Sequence, residues 1–147
     1  MTVGLDTNIL CYALDPVFNE HKKASSLLIK IIRSKQKISI NSTTIHETYH
    51  TLVFKQKWVP DDARTKILAF LRHPQIQFQN QTKRISLLAL KLAVSLRIGG
   101  RDSLILANFL ENKAEKLYTH DGDLLRLGKV ALDGYSLMIE DPITGKP

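Results

Sequence analysis

Hydrophobic residues recur with two different spacings along the chain. Short apolar runs, which are typical of buried strands, occur at residues 3–5, 38–40, 76–78, 116–119 and 135–139. Between these runs, apolar residues recur every three or four positions, which is the spacing of a helix with one buried face. This spacing predicts helices at about residues 21–33, 42–57, 60–72, 85–96 and 101–112.

The order of these elements predicts an α/β fold. Strands that alternate with helices form parallel sheets covered on both faces. We therefore expect a three-layer α/β/α sandwich around a central parallel sheet of about five strands. A chain of 147 residues suits one domain, which we place at residues 1–140. Residues 141–147 contain two prolines and one glycine and are predicted to form a loose C-terminal tail.

Acidic residues follow the predicted strands. Asp6 comes directly after the first strand, and Asp121 and Asp123 follow the fourth. Glu47 lies in the helix after the second strand, and Asp102 lies near the start of a later helix. Ligands of such sheets bind beyond the carboxyl ends of the strands. Alone, each acid has a simpler explanation as a helix cap or turn residue. Together they favour a site for Mg²⁺ or Mn²⁺, which can activate water for phosphodiester hydrolysis.

A second pattern uses Glu47 differently. Residues 46–50 read H-E-T-Y-H, which is similar to the H-E-x-x-H motif of zinc metalloproteases. His46 and His50 would bind the zinc on one helix face, and Glu47 would be the general base. A catalytic zinc needs a third protein ligand, and the spacing of one such family would place it at position 56, which is Gln56. The two histidines are otherwise polar residues on a partly exposed helix face, and a zinc metalloprotease stays an alternative function.

The charge balance favours a polyanionic partner. The chain has 21 Lys and Arg against 14 Asp and Glu, a formal net charge of +7. Setting the five candidate acids aside leaves nine acids against 21 basic residues, so the surface around the acids carries a formal charge of +12. An acidic pit for a cation within a basic surface for a phosphate backbone suits a metal-dependent nuclease.

Motifs and residues that the sequence lacks exclude several classes of protein. Neither G-x-G-x-x-G nor G-x-x-x-x-G-K-[ST] occurs, which argues against the usual nucleotide cofactors. The single cysteine, Cys11, excludes an intrachain disulfide and a Cys-rich zinc site, and it favours a reducing compartment. The sequence shows no targeting signal and no apolar run near the length of a membrane span. We expect a cytoplasmic protein without membrane contact.

Four segments together resemble a known family. Leu5-Asp6-Thr7-Asn8-Ile9-Leu10 resembles the opening D-T-N motif of PIN domains, especially of the VapC toxins of VapBC toxin–antitoxin pairs, and Glu47 stands at the distance of that family's glutamate. Arg101-Asp102-Ser103-Leu104-Ile105-Leu106-Ala107 resembles its third acidic motif. Leu117-Tyr118-Thr119-His120-Asp121-Gly122-Asp123-Leu124 resembles its T-x-D-x-D-[aromatic] motif, with Leu124 in place of the aromatic residue. The resemblance spans residues 3 to about 139.

The resemblance implies a fold and an activity. The sheet order would be 3-2-1-4-5, and the activity that of a Mg²⁺- or Mn²⁺-dependent endoribonuclease. Asp6, Asp102 and Asp121 would be catalytic metal ligands, and Glu47 would bind the metal directly or through water. Intact acids at all four motifs argue for an active site rather than a degenerate one.

The resemblance also assigns supporting residues. Asp123 would be a further acid, and Thr119 and Asn8 would organise the site by hydrogen bonds. Arg101 departs from the family pattern; it is expected either to pair with its neighbour Asp102 or to bind a substrate phosphate.

Partners and biological role follow from the same resemblance. RNA would be the substrate, and the protein would be the toxin paired with a VapB-like antitoxin. A PIN nuclease of RNA maturation and a non-catalytic PIN-fold binding module are alternatives. We also expect a homodimer with residues 60–71 and 85–96 at or near the contact. Phe70 would lie at this contact, or else in the core of the monomer.

Overall fold

The strands of the computed structural model form one sheet. The model describes residues 1–132 and 134–145, and within them the strands are β1 (Thr2–Leu5), β2 (Lys37–Asn41), β3 (Ile76–Gln79), β4 (Lys116–Tyr118), β5 (Lys129–Leu132) and β6 (Tyr135–Glu140). These six described strands lie in the order β3-β2-β1-β4-β6-β5. All neighbours are parallel except β5 and β6, which form an antiparallel pair at one edge.

Helices cover the sheet. They are α1 (Thr7–Leu14), α2 (His21–Arg33), α3 (Ser42–His50), α4 (Pro60–Leu71), α5 (Lys83–Leu96), α6 (Gly100–Glu111) and α7 (Gly122–Leu125), and a π turn at Thr51–Lys55 continues α3. Among the described helices, none is long and apolar enough to cross a membrane.

The structure confirms the predicted α/β fold and the PIN-like strand order. The five predicted strands correspond to β1, β2, β3, β4 and β6, and they occur in the predicted order. The pattern missed β5, whose four residues gain their strand character from pairing with β6, for example Val130 opposite Leu137. It also missed α1 and α7, which are too short to show a helical period on their own.

The sheet has a hydrophobic core on each side. Val3 and Leu5 face one side of the sheet and pack with residues of α1, α2, α3 and α4. Gly4 faces the other side, where α5 and α6 pack. A Cβ on Gly4 would lie 2.7 Å from the ring of Phe109 in α6, so the glycine lets this helix approach the middle of the sheet. Cores on both sides are the physical basis of the three layers.

The helix after β2 begins at the predicted residue but is shorter than predicted. Asn41 is its N-cap, and its Oδ1 accepts a hydrogen bond from the Thr44 N–H at 2.9 Å. The cap does not involve Glu47, whose side chain is left for the site. The predicted helix over residues 42–57 is α-helical only to His50, and the π turn ends at Lys55.

Residues 141–145 form a turn against the body of the protein. The Asp141 side chain is buried and accepts hydrogen bonds from the Ile143 N–H at 2.9 Å and the Thr144 hydroxyl at 3.0 Å. Lys23 donates to the Ile143 carbonyl at 2.7 Å. The last two residues of the predicted tail lie outside the described residues, and the division into residues 1–140 and a tail stays a prediction.

Phe70 belongs to the core rather than to the surface. Its side chain is 8% exposed and packs in the same cluster as Ile67. Of the two predicted contact segments, α5 exposes the larger apolar surface, with Leu87, Leu90 and Val94 at 59%, 65% and 81%, whereas α4 exposes Leu68 at 37%. The homodimer itself stays a prediction.

Candidate active site

Two neighbouring strands bring the first and last acidic motifs together. β1 and β4 pair in parallel with Leu5 opposite Tyr118, and the Asp6 N–H donates to the Tyr118 carbonyl at 2.9 Å. Asp6 then caps α1, and Asp121 caps α7. Because both strands end at the same edge of the sheet, residues 115 positions apart in sequence enter one site.

Asp6 is the most enclosed acid of this site. Only 7% of the residue is exposed. One carboxylate oxygen accepts the Thr7 N–H at 2.8 Å, and the other accepts the Thr119 hydroxyl at 2.7 Å. Burial raises the pKa of Asp6 from 3.8 to about 6; the two hydrogen bonds oppose the shift, and the charges of Asp102 and Glu47 add to it.

Thr119 joins the two helix caps. Its hydroxyl donates to Asp6 and accepts the Asp121 N–H at 3.0 Å. The Asp121 carboxylate also accepts the Leu124 N–H at 3.2 Å. Asn8 binds the same loop, since its Oδ1 accepts the backbone N–H of His120 at 3.3 Å. These bonds set the position of the loop after β4 relative to the start of α1.

Glu47 is oriented by two partners. The Thr7 hydroxyl donates to its Oε1 at 2.6 Å, and the Arg101 Nε lies 2.7 Å from its Oε2 in an ion pair. Oε2 is buried and accepts no hydrogen bond from the described residues. Arg101 therefore pairs with Glu47, and the described residues contain no ion pair between Arg101 and its neighbour Asp102.

Asp102 and Asp123 have different surroundings. Burial raises the pKa of Asp102, the nearby charge of Asp121 adds to the rise, and Arg101 opposes it. Within residues 1–132 and 134–145, Asp102 accepts no hydrogen bond, so its carboxylate stays available to a ligand. Asp123 forms an ion pair with Arg126 at the surface, on the rim of the site.

The acids line one cleft of about 890 Å³. All five candidate acids contribute to its wall. The rest of the wall is basic or aromatic in large part, with Tyr12, Phe18, His46, His50, Lys55 and Arg101. The arrangement combines an acidic centre with flanking positive charge, as the charge balance of the sequence suggested.

The donor chemistry of the cleft fits a hard divalent cation. As the side chains are oriented here, no three His, Cys, Asp or Glu residues of the described ranges stand close enough together to hold a metal. Oε2 of Glu47 is buried and lies in an ion pair with Arg101 but accepts no hydrogen bond from the described residues. It and the carboxylate of Asp102 are nevertheless oxygen donors of the kind that Mg²⁺ and Mn²⁺ bind.

The zinc alternative has less support. His46 and His50 line the cleft on one helix face, but the described part of the chain supplies no third ligand beside them. The ring of His50 instead lies against Phe54, with the ring centroids 4.9 Å apart. Glu47 bonds to Thr7 on the neighbouring helix.

Sequence reasoning missed two features of the site. Thr7 lies within the D-T-N motif, and its hydroxyl holds Glu47 across 40 positions of sequence. His120, next to the loop acid Asp121, bonds through Nδ1 to Asp141 at 2.8 Å. Burial alone would raise the pKa of Asp141, but hydrogen bonds from the Ile143 N–H, His120 and Thr144 lower it overall. No local sequence signal marks either pair.

Solved structures of toxin–antitoxin proteins share this fold. The comparison includes VapBC2 from Rickettsia felis bound to a promoter DNA fragment (TM-score 0.69, 20% identity, 96% of this chain and 98% of the other). VapC20 of Mycobacterium tuberculosis, described as a sarcin-ricin loop cleaving toxin, gives TM-score 0.70 at 16% identity over 88% and 98% of the two chains. VapBC-1 from nontypeable Haemophilus influenzae gives 0.68 at 20% identity over 97% and 98%. Because these sequence identities are low, the structural similarity shows that the chains share a fold and no more than that.

Comparison with curated proteins gave no match. The sequence profile of the PIN domain, by contrast, matches residues 3–130, which is most of the chain and includes the loop acids after β4. The chain therefore belongs to the PIN domain family.

Proposed function

We propose that this protein is a Mg²⁺- or Mn²⁺-dependent endoribonuclease that acts as the toxin of a toxin–antitoxin pair in the cytoplasm. One observation carries the proposal: Asp6, Glu47, Asp102 and Asp121 come from four separate segments and line a single cleft. Buried like charges repel one another, and a bound cation relieves that repulsion. The raised pKa of Asp6 and of Asp102 is the expected sign of such crowding together with burial.

Asp6, Asp102 and Asp121 would hold the metal, with Glu47 as a direct or water-mediated ligand. When bound, the metal supplies a water of lowered pKa and neutralises charge on the scissile phosphate. The chain's own residues set the geometry. Thr119 orients Asp6, and Thr7 orients Glu47.

Residues at the rim would contact the RNA. Arg101 is largely exposed at the mouth of the cleft, and a guanidinium there can bind a phosphate oxygen. Its ion pair with Glu47 holds the side chain beside the acids. Asp123 is a further acid on this rim, and Asn8 steadies the loop that carries it.

The toxin role rests on the similar structures. Several are complexes of a toxin with its antitoxin, including VapBC2 and a toxin–antitoxin complex from Klebsiella pneumoniae. We propose a VapB-like antitoxin as partner and a homodimer formed through the exposed face of α5. A nuclease of RNA maturation would use the same cleft, so co-expression distinguishes the roles: a toxin arrests growth and is neutralised by the product of an adjacent reading frame.

Metal-dependent cleavage of RNA tests the enzyme. Purified protein should cut RNA with Mg²⁺ or Mn²⁺ and stop in EDTA. Asp102→Asn should lower the rate at least a hundredfold, about 3 kcal/mol or more of transition-state stabilisation, while Asp62→Asn on the exposed surface of α4 is the matched control and should not. Cleavage that resists EDTA, or equal rates for the two variants, would refute the proposal. Binding of RNA without cleavage would favour the non-catalytic module.

A further inference from the structure

The π turn after α3 presents an aromatic ring beside the mouth of the cleft. His50 and Lys55 both line the cleft, and Phe54 lies between them in sequence with 58% of its surface exposed. The imidazole of His50 covers part of the Phe54 ring, with 4.9 Å between centroids and 33° between planes. The remainder of the ring faces solvent.

Single exposed apolar residues are common on protein surfaces and need no explanation alone. Here the backbone is also unusual. The Gln56 N–H donates to the Thr51 carbonyl at 3.0 Å, which closes a π turn rather than an α-turn. Such turns occur frequently at functional sites. Because the turn continues the helix that carries Glu47, Phe54 stands about two helical turns beyond that acid.

The charge beside the ring is positive. Residues 48–60 contain no Asp or Glu, and they include Lys55 and Lys57 on either side of Gln56. The Lys57 Nζ donates to the Phe54 carbonyl at 3.0 Å, which keeps its charge near the ring. An exposed aromatic ring with lysines close to it in sequence is suited to single-stranded nucleic acid, by stacking on a base and by attraction to phosphates.

We propose that Phe54, backed by His50 and followed by Lys55 and Lys57, is a stacking platform for an unpaired RNA base at the edge of the cleft. This inference rests on the proposed ribonuclease function and deepens it by naming the residue that would bind an unpaired base of the RNA. A base in a duplex has both faces covered and is not offered to the ring. Acidic or apolar surface next to Phe54 would instead favour contact with a protein. Residues 48–60 contain no acidic residue, and Val59 is the other strongly exposed large apolar residue among them.

Binding measurements test the platform separately from catalysis. The probe is a short single-stranded oligoribonucleotide carrying one 2-aminopurine, measured in EDTA with the full chain bearing Asp102→Asn. Phe54→Ala should weaken binding about 5- to 100-fold and reduce the stacking-induced quenching of the probe. Phe54→Trp should keep both. Tyr135→Ala is the matched control, because Tyr135 is 47% exposed at the start of β6, at the opposite end of the sheet, and should change neither.

Other readouts separate the possible failures. In the active protein, Phe54→Ala should raise KM for RNA and leave kcat within about threefold, and the corresponding duplex should bind more weakly than the single strand. Unfolding curves show whether each variant is folded. Unchanged RNA affinity in a folded Phe54→Ala protein would overturn the platform. Failure of Phe54→Trp to retain quenching would also overturn it. Absence of metal-dependent cleavage by the wild type would refute the proposed function, while the binding result would still decide the platform.

Discussion

Replacing Asp6 by Asn should stabilise the metal-free protein at neutral pH. Burial raises the pKa of Asp6 from 3.8 to about 6. Each tenfold change in proton affinity corresponds to about 1.4 kcal/mol, so the ionised carboxylate costs the folded state about 3 kcal/mol. Asn carries no charge and avoids this cost. The Asn side chain has one acceptor oxygen, whereas Asp6 accepts from two donors, the Thr7 N–H and the Thr119 hydroxyl. Loss of one of these hydrogen bonds costs the variant about 1 kcal/mol of folding free energy.

The sign of the effect depends on pH. Because the folded-state pKa of Asp6 is raised, folding favours the protonated acid. The contribution of Asp6 to the stability of the wild type is therefore fully present below about pH 3.8. This contribution is lost as the pH rises through the folded-state pKa of about 6. At pH 7 Asp6→Asn should be more stable by about 2 kcal/mol, or about 4–8 °C in Tm. Near pH 4 it should be slightly less stable than wild type.

Urea unfolding in EDTA from pH 4 to pH 8 measures this difference. Asp15→Asn is the matched control, because Asp15 is also buried but accepts hydrogen bonds from Val17 N–H, Gln56 Nε2 and Trp58 Nε1. An amide nitrogen cannot accept the last two, so this variant should lose about 1–3 kcal/mol at pH 7. Added Mg²⁺ should stabilise the wild type more than Asp6→Asn. A metal-free Asp6→Asn protein that is less stable than wild type at pH 7, or a pH-independent difference, would refute the reasoning.

Four further substitutions test other parts of the structure. His46→Ala should leave RNA cleavage within several-fold of wild type. If the variant instead loses both a bound zinc and a peptidase activity that the wild type has, the metalloprotease is favoured. Leu90→Glu should give a folded monomer in light scattering, while Phe70→Glu should unfold the chain because it buries an unpaired charge; a wild type that is monomeric at all concentrations contradicts the dimer. Gly4→Ala should lower the free energy of unfolding by about 1–3 kcal/mol, since the new Cβ overlaps the Phe109 ring, and an unchanged urea midpoint would show that the ring can shift.

The sequence alone determined the layer architecture and the identity of the acidic motifs. Buried strands appear as short apolar runs, and buried helix faces appear as apolar residues every three or four positions. Both patterns are local, so they can be identified from the sequence alone. The order of the five predicted strands came from the resemblance of four motifs, and the structure has that order. The position of Asp6 and Asp121 after adjacent strands followed from the same order.

Only the tertiary structure decided which groups bind one another. α1 has eight residues, and its helix depends on the Asp6 cap and on packing against its neighbours rather than on a long period. β5 exists because it pairs with β6. Arg101 has an acid beside it in sequence, yet it pairs with Glu47, 54 positions away. Partners at such separations are chosen by packing of the whole chain, and a local pattern carries no record of that choice.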